Sequence, residues 1–351
     1  MEFGMQFFPC VGPEQKSGAQ YFDECLRLVE FCDRYGWGHV RTVEHYFRAY
    51  GGYTPNPVVF LAAAAQRTKK ARIVTGAVLP VFNNPLKLAG EIGMLDAISG
   101  GRLEVGFARA FLPYEFANFK VSLNESRDRF TEGMEQVRLL LENDTASHEG
   151  KFHSFKNVTS LPRPTQKPRP PFWVAAIATP ESFTSAGKAG HSIMGIPMAG
   201  GKMKELIELY RDAWKQAGHP GKGRVMLAFH MFCAETHDKA FAVARDPLNR
   251  YLKAIASATA DWGTMSSKDY PGYDKIAEIL AKETIETQVK SGAAWIGTPD
   301  EIAAQIAEYN DRVGGFESAS LQVNFNTVSY ADAEASVRRF SEAVMPKFRA
   351  A

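Results

Sequence analysis

Short apolar segments rich in β-branched residues alternate along this chain with longer segments in which apolar residues recur every three to four positions. The first pattern is typical of buried strands, and the second is typical of amphipathic helices that pack on them. Strands that alternate with helices indicate a parallel sheet with helices on its faces. Eight strands are predicted, at residues 3–8, 37–43, 71–79, 102–107, 172–177, 191–196, 224–234 and 318–324.

Proline and glycine mark the boundaries of these elements. Pro57 and Pro85 stand at favoured first positions of two predicted helices. Five prolines between residues 162 and 171 predict a rigid surface segment before the fifth strand, because proline fixes φ and extends the chain. The segment 259–294 breaks the alternation and carries Gly263, Gly272 and Gly292, so it predicts a mobile lid or an insertion.

Eight strands with intervening helices predict one closed (β/α)8 TIM barrel, an α/β fold that typically needs about 250 residues, with the surplus in insertions. We expect a single domain over residues 1–351, with the lid or insertion at 259–294. An open doubly wound sheet is the alternative. It lacks support because no G-x-G-x-x-G follows a strand, so nicotinamide binding of the Rossmann kind is not expected.

Composition narrows the class of protein further. The chain is 45% hydrophobic with a formal net charge of +2, which argues against a polybasic nucleic-acid binder. No apolar run approaches the roughly 20 residues of a membrane span, and the chain starts directly with a strand. We therefore expect a cytoplasmic protein with no membrane or nucleic-acid partner. The four cysteines form no C-x-x-C pair and no metal-ligand spacing is present, so buried free thiols and no metal are expected.

The sequence Glu44-His45-Tyr46-Phe47 leaves the second predicted strand and leads into a turn rich in glycine and proline. Loops at the carboxyl ends of parallel strands build the active sites of such folds. His45 is therefore the candidate catalytic residue, since histidine titrates near neutrality. Its alternative is a structural histidine bonded inside the turn. Glu44 is expected either to orient His45 or to form an ion pair at the barrel mouth.

An ordered set of short motifs resembles the bacterial luciferase-like flavin-dependent monooxygenases over essentially the whole chain. The resemblance implies an insertion-bearing (β/α)8 barrel, commonly a dimer, that takes reduced flavin mononucleotide (FMN) from a separate NAD(P)H-dependent flavin reductase and reacts it with O2. The motifs, in chain order, are Phe3-Gly4, Glu44-His45-Tyr46-Phe47, Asn56-Pro57, Leu79-Pro80, Leu95-Asp96, Ser99-Gly100-Gly101-Arg102, Arg109, Ser126-Arg127, Ile296-Gly297-Thr298-Pro299 and Val344-Met345-Pro346.

The resemblance also implies the residues that bind the cofactor. Arg109, Arg127, Thr179 and Ser182 are similar to the family's phosphate-binding positions, and guanidinium forks with hydroxyls at a helix start suit a phosphate. Ordinary surface arginines and a plain helix cap are the alternatives. Gly76-Ala77, at the end of the third strand, is small enough to let the flavin ring approach the backbone, and the family carries a non-proline cis peptide near this point. The alternative is a small-residue layer of the barrel.

The implied chemistry is that a flavin C4a-peroxide forms with O2, exchanges a proton with His45 and oxygenates a small organic substrate, such as an aldehyde, a ketone or a natural-product intermediate. The sequence does not decide between Baeyer–Villiger chemistry and hydroxylation. Aromatic side chains are expected to wall a dry substrate pocket, with ordinary core packing as the alternative for each. The predicted pocket residues are Tyr46, Phe47, Phe82, Phe111, Tyr114 and Trp262.

Two other functions fit the same fold. One is a deazaflavin-dependent dehydrogenase or reductase, which moves hydride and consumes no oxygen. The other is a noncatalytic flavin-binding accessory subunit, against which the presence of His45 and of the segment 259–294 argues. Ala108 stands where light-emitting members carry a cysteine, so light emission is not implied. A homodimer is the preferred assembly, with a heterodimer left open.

Overall fold

The computed structural model describes residues 1–197 and 202–348. Nine of its eleven strands are buried at every residue or at all residues but one, as expected for a parallel sheet covered by helices. The strands are β1 (Glu2–Phe7), β2 (His39–Thr42), β3 (Arg72–Val78), β4 (Leu103–Phe107), β5 (Ala146–Glu149), β6 (Ser154–Val158), β7 (Phe172–Ala175), β8 (Ser192–Gly195), β9 (Val225–Cys233), β10 (Ala294–Gly297) and β11 (Ser318–Gln322).

Eight of these strands close a parallel barrel in the order β1, β2, β3, β4, β7, β8, β9, β11 and back to β1. These are the eight strands predicted from the sequence, and the (β/α)8 TIM barrel is confirmed. β10 was not predicted. It pairs with the carboxyl-terminal half of β9 outside the ring of eight.

Helices follow the barrel strands, and Asn56 and Asn84 cap the two proline-led helices by accepting backbone N–H bonds. The helices are α1 (Gly18–Val29), α2 (Phe31–Tyr35), α3 (Pro57–Arg67), α4 (Pro85–Ile98), α5 (Pro113–Phe119), α6 (Ser126–Glu142), α7 (Pro180–Lys188), α8 (Lys202–Gln216), α9 (His237–Ala258), α10 (Ile276–Leu280), α11 (Ile285–Ser291), α12 (Pro299–Arg312) and α13 (Tyr330–Ala343).

The antiparallel hairpin β5–β6 is the main element missing from the sequence prediction. Its strands are short and mostly polar, so they carry no apolar alternation to detect. The proline-rich stretch that follows, residues 159–171, forms neither helix nor strand before β7, as predicted. The four cysteines are free and buried, which confirms that expectation.

The segment 259–294 runs from the end of α9 to β10 through two 3-10 turns, α10 and α11. Tyr270, Tyr273 and Ile276 from this segment line the cavity described below. Asp269 ties it to α6, because its Oδ2 accepts bonds from Ser126 Oγ at 3.2 Å and from the backbone N–H of Arg127 at 3.1 Å. The segment is therefore part of the cavity wall, and its motion stays a prediction.

The barrel interior is polar at its amino-terminal end and apolar in the middle. Arg72 and Arg224 both pair with Glu104, at 2.9 Å and 3.0 Å. Above them lies a buried cluster that includes Trp173 and Met226. The floor of the site is therefore set by the next side chains along the strands, at the carboxyl ends.

Candidate active site

One cavity of about 590 Å³ lies at the carboxyl ends of the barrel strands. Its size is in the range of small-molecule and cofactor sites. All of the residues predicted for catalysis and cofactor binding line it, although they come from different parts of the chain. They are Glu44, His45, Gly76, Ala77, Arg109, Arg127, Thr179 and Ser182.

His45 is held by a carboxylate that the sequence did not reveal. Its Nδ1 lies 3.1 Å from Oε1 of Glu115, a fully buried residue of α5. The same oxygen accepts the backbone N–H of Tyr46 at 2.9 Å. Because a carboxylate oxygen only accepts, the hydrogen of this contact belongs to Nδ1. The imidazole Nε2 has no hydrogen-bond partner within the described ranges, so it is the nitrogen left for a bound group.

Glu44 does not contact His45, and the two roles predicted for it are both wrong. Its carboxylate accepts bonds from the Leu79 N–H at 3.0 Å, from Asn83 Nδ2 at 2.8 Å and from the Tyr46 hydroxyl. No ion pair of Glu44 exists in the part of the chain that the structure describes. Leu79 and Asn83 hold the Glu44 carboxylate, although both Glu44 and His45 line the cavity. Burial raises the pKa of Glu44 to about 7, against the opposing effect of these donors.

The two arginines predicted to bind the phosphate, Arg109 and Arg127, have few polar or acidic partners in the protein. The Arg109 guanidinium lies 4.2 Å from the centroid of the Tyr270 ring, and its Nη1 is buried without a hydrogen-bond partner. No acidic side chain pairs with it in residues 1–197 and 202–348. Arg127, at the start of α6, has its Nε 3.9 Å from Asp269 Oδ1, at the limit of an ion pair. Both guanidinium groups can therefore accept an anionic ligand.

The start of α7 fits the same anion. Thr179 occupies the N-cap position, yet its hydroxyl makes no capping bond, contrary to a plain helix cap. Ser182, one turn into the helix, also lines the cavity. Unsatisfied N–H groups and hydroxyls at a helix start form a ready site for a phosphate. The residues present thus fit the phosphate of FMN.

Gly76 and Ala77 form a smooth part of the cavity wall. Their peptide bond is cis, as the resemblance implies. A Cβ on Gly76 would overlap the side chain of Arg41, which passes directly behind the glycine. Glycine is therefore needed at this position for close approach, and the small pair leaves room for a planar ring.

Among the six aromatic residues predicted for the pocket, only Phe111 lines the cavity. Tyr46, Phe47 and Phe82 surround Phe119, with ring centroids 4.8, 5.5 and 4.6 Å away. Phe47 is 60% exposed and has a positive φ of 67°, which turns it to the surface. These three residues therefore belong to a separate aromatic cluster.

Tyr114 and Trp262 also lie outside the cavity lining. The Tyr114 ring carries the Arg48 guanidinium at 3.9 Å. Trp262 is buried behind Tyr270, with ring centroids 5.0 Å apart, and its Nε1 donates to the Phe111 carbonyl at 2.8 Å. Pocket membership is wrong for these two residues. Tyr270 and Tyr273, which pack against Trp262, line the cavity instead of it, and Tyr114 packs against Arg48.

Other aromatic residues take the expected place beside the imidazole. The ring centroids of Tyr50 and Phe8 lie 5.3 and 5.6 Å from that of His45, and Tyr251 packs against both. No local pattern distinguishes these aromatics from core residues. Arg41 did carry a signal, because it is the one residue among Asp, Glu, Lys and Arg in the predicted strand 37–43.

A (β/α)8 barrel that joins an anion-binding end to a carboxylate-held imidazole in one cavity defines a cofactor-dependent enzyme. The family model described as luciferase-like monooxygenase matches residues 1–314. The chain belongs to this family.

Individual relatives agree with this assignment. The chain is 28% identical over 346 residues to the oxygenase component of a flavin-dependent trigonelline monooxygenase from Acinetobacter baylyi, covering 95% of this chain and 92% of that protein. The crystal structure of the monooxygenase RslO1 from Streptomyces bottropensis is similar with a TM-score of 0.88 at 42% identity, covering 99% and 100% of the two chains. The predicted class, a flavin-dependent monooxygenase, is confirmed.

A third similarity concerns the fold alone. The oxygenating constituent of 3,6-diketocamphane monooxygenase from Pseudomonas putida, a type II Baeyer–Villiger monooxygenase solved with FMN, has a TM-score of 0.83 at 24% identity, covering 100% and 99% of the chains. Among the described helices, none combines the length and the apolar character needed to cross a membrane.

Proposed function

We propose that this chain is the oxygenating component of a two-component monooxygenase, which uses reduced FMN supplied by a separate NAD(P)H-dependent flavin reductase. With O2 the reduced flavin supplies a C4a-peroxide, which oxygenates a small organic substrate, such as an aldehyde, a ketone or a natural-product intermediate. The observation that carries the proposal is the convergence of Arg109, Arg127, the uncapped start of α7 and His45 on one cavity.

Each residue has a defined task in this proposal. Arg109, Arg127, Thr179 and Ser182 bind the phosphate and so fix the cofactor at one end of the cavity. Nε2 of His45 gives a proton to the reacting oxygen or takes one from it. The Tyr50 and Phe8 rings beside the imidazole keep water away from the reaction.

The first experiment mixes the purified anaerobic chain and photoreduced FMN with O2 in a stopped-flow spectrometer. A long-lived C4a-(hydro)peroxyflavin band that His45→Ala forms poorly or loses quickly is the expected result. Immediate return to oxidised flavin, as in free solution, would contradict the proposal and favour the accessory-subunit alternative. Reduction of a deazaflavin by a substrate without oxygen consumption would favour a dehydrogenase instead.

A second experiment tests the phosphate site. Because charge-assisted bonds contribute about 1.5–3 kcal/mol each, Arg127→Ala is expected to weaken FMN binding by roughly 10-fold or more. Riboflavin, which lacks the phosphate, should bind the variant and the parent chain alike. Arg129→Ala is the matched control, because Arg129 is on the same helix and pairs with Glu125 outside the cavity. Equal losses for FMN and riboflavin would count against the phosphate assignment.

We further propose a homodimer formed through α3 and α4. α4 carries apolar residues on all sides, which is typical of a buried helix. Yet Met94 and Ile98 of α4 are 47% and 39% exposed, and Val59 of the adjacent α3 is 69% exposed. A second copy would cover this surface. Sedimentation equilibrium should give twice 38.8 kDa for the parent chain and a monomer for Val59→Asp, whereas Leu209→Asp on α8 should stay dimeric. A monomeric parent chain would rule the homodimer out.

We also propose a cytoplasmic location. The four free buried thiols support a reducing compartment, and the flavin reductase must reach the same solution. Cell fractionation with a specific antibody tests this, and recovery in an extracellular fraction would contradict it.

A further inference from the structure

The strand register aligns four polar side chains across the carboxyl end of the barrel. His230 of β9 pairs with Gln322 of β11, Gln322 pairs with Gln6 of β1, and Gln6 pairs with Arg41 of β2. Register partners on adjacent strands point to the same side of the sheet. Each of the four is at most 6% exposed, and Gln322, Gln6 and Arg41 line the cavity. This polar row therefore lies at the floor of the site.

Arg41 is a buried charge without an acidic partner. Its Nη1 donates to Gln6 Oε1 at 2.9 Å and its Nη2 to the Gly76 carbonyl at 3.0 Å, whereas Nε has no acceptor. No carboxylate lies within ion-pairing distance of it in the described chain. Burial lowers the pKa of Arg41 to about 10, so the group keeps its charge at neutral pH. Burying an uncompensated charge is costly.

The other arginines of the barrel interior show that this fold can pair such charges. Arg72 and Arg224 share the carboxylate of Glu104 at the opposite end of the barrel. Arg41 instead lies against the cavity, where only a ligand can supply the missing negative charge. The polar row also contains two buried atoms that make no hydrogen bond, Gln322 Oε1 and His230 Nε2.

The position of the row separates it from the flavin phosphate. In the closed ring β7 lies four places from β1, so α7, which follows β7, starts on the far side of the barrel from the row. The row instead adjoins the aromatic wall beside His45, since the Tyr251 ring centroid lies 4.3 Å from that of His230 in the row and 5.8 Å from that of Tyr50 in the wall. A group bound at the row is therefore held next to the imidazole.

We propose that Arg41, steadied by Gln6, binds an anionic oxygen of the organic substrate, a carboxylate, phenolate or enolate whose cyclic body packs between the rings of Phe8, Tyr50 and Tyr251. This substrate class rests on the proposed function, because it assumes that the cavity holds an organic substrate beside the flavin. The same cation could instead face the anionic pyrimidine ring of reduced flavin. The two sources are distinguished by binding experiments.

The test uses the full chain saturated with oxidised FMN and two matched probes, 2-naphthoate and 2-naphthamide, with dissociation constants measured by calorimetry. The parent chain should bind the carboxylate about 10-fold or more tightly than the amide, as one charge-assisted contact implies. Arg41→Met should abolish this preference and leave the amide affinity within about threefold. Arg48→Met is the control, because Arg48 packs on the Tyr114 ring and does not line the cavity.

A parent chain without preference for the carboxylate, or a preference that survives Arg41→Met, would overturn the proposal. If Arg41→Met instead weakens only reduced FMN, the flavin is the anionic partner and the proposal is wrong. Thermal unfolding and FMN binding check that the variant folds. Should it fail to fold, Arg41→Lys carries the test, since it keeps the charge without the fork and should lose part of the preference. These binding measurements involve no O2. They can therefore support the role of Arg41 even if the stopped-flow experiment shows no peroxyflavin.

Discussion

Two buried glutamates lie close to His45, and only one of them contacts it. Glu115 Oε1 is 3.1 Å from the imidazole Nδ1, whereas Glu44 turns away towards Leu79 and Asn83. Glu115→Gln replaces a charged acceptor by a neutral one. A hydrogen bond to a charged group contributes about 1.5–3 kcal/mol and a neutral one about 0.5–1.5 kcal/mol, so about 1 kcal/mol of imidazole orientation is lost. That loss is about fivefold in the rate of a step that needs the oriented imidazole.

The assay is the stopped-flow formation and decay of the peroxyflavin in a double-mutant cycle. Glu115→Gln alone should change the rate that depends on His45 by about fivefold, and it should add little in a His45→Ala background. Glu44→Gln is the matched control, because Glu44 is also buried and precedes His45 in the chain but makes no hydrogen bond to the imidazole, and its effect on this rate should stay below about twofold.

Either of two results would refute the reasoning. If Glu44→Gln lowers the rate as much as Glu115→Gln, the hydrogen bond from the His45 imidazole to Glu115 is not what orients the imidazole. If the effect of Glu115→Gln is undiminished without His45, Glu115 acts directly or through the backbone N–H of Tyr46, and it is not a positioning residue for the imidazole.

Three further predictions follow from buried groups outside this pair. Burial raises the pKa of Glu44 from 4.5 to about 7, so the folded state holds this proton more tightly than the unfolded state does. The free energy of unfolding should therefore fall by about 3 kcal/mol as pH rises from 4.5 to 7. Urea unfolding of Glu44→Gln across this range should lack that fall, and identical pH profiles for the variant and the parent chain would contradict the prediction. Asp269→Asn removes the negative charge that the segment 259–294 places at the start of α6. It should lower the free energy of unfolding by about 1 kcal/mol and speed proteolysis within the segment. Asp274→Asn is the control and should do neither. Burial raises the thiol pKa of Cys10, Cys25 and Cys233 to about 12, so a disulfide reagent at pH 8 should label the chain only after unfolding.

The barrel could be predicted because its eight strands are short, largely buried segments that alternate with helices and are bounded by turn residues. The hairpin β5–β6 and β10 could not. β5 and β6 are short and polar, and β10 is a four-residue strand that follows the short helix α11 at the end of the segment 259–294. Local pattern thus specifies the strands that alternate regularly with helices, and it fails for polar strands and for a short apolar strand outside that alternation.

The candidate site divides in the same way. His45 could be predicted from its place after β2, since the fold brings all carboxyl ends of the strands together. Glu115 could not be assigned to it, because the two residues are 70 positions apart and nothing in the sequence aims one at the other. The aromatic residues failed for a related reason. Tyr46 follows His45 directly, so it points to the other side of the extended chain and joins Phe119 instead.

The common origin of Arg41 and His45 sets a length for the proposed substrate. Arg41 lies in β2, His45 follows three residues after the strand ends, and both line the cavity. Four residues of fully extended chain span at most about 14 Å. Since both side chains line the same cavity, we expect an acidic oxygen held at Arg41 and a carbon attacked beside His45 to be separated by a distance of this order. Two or three fused rings fill that length, whereas a long flexible chain would have to fold back on itself in a cavity of about 590 Å³. The geometry thus favours a compact, rigid acid over an extended aliphatic one.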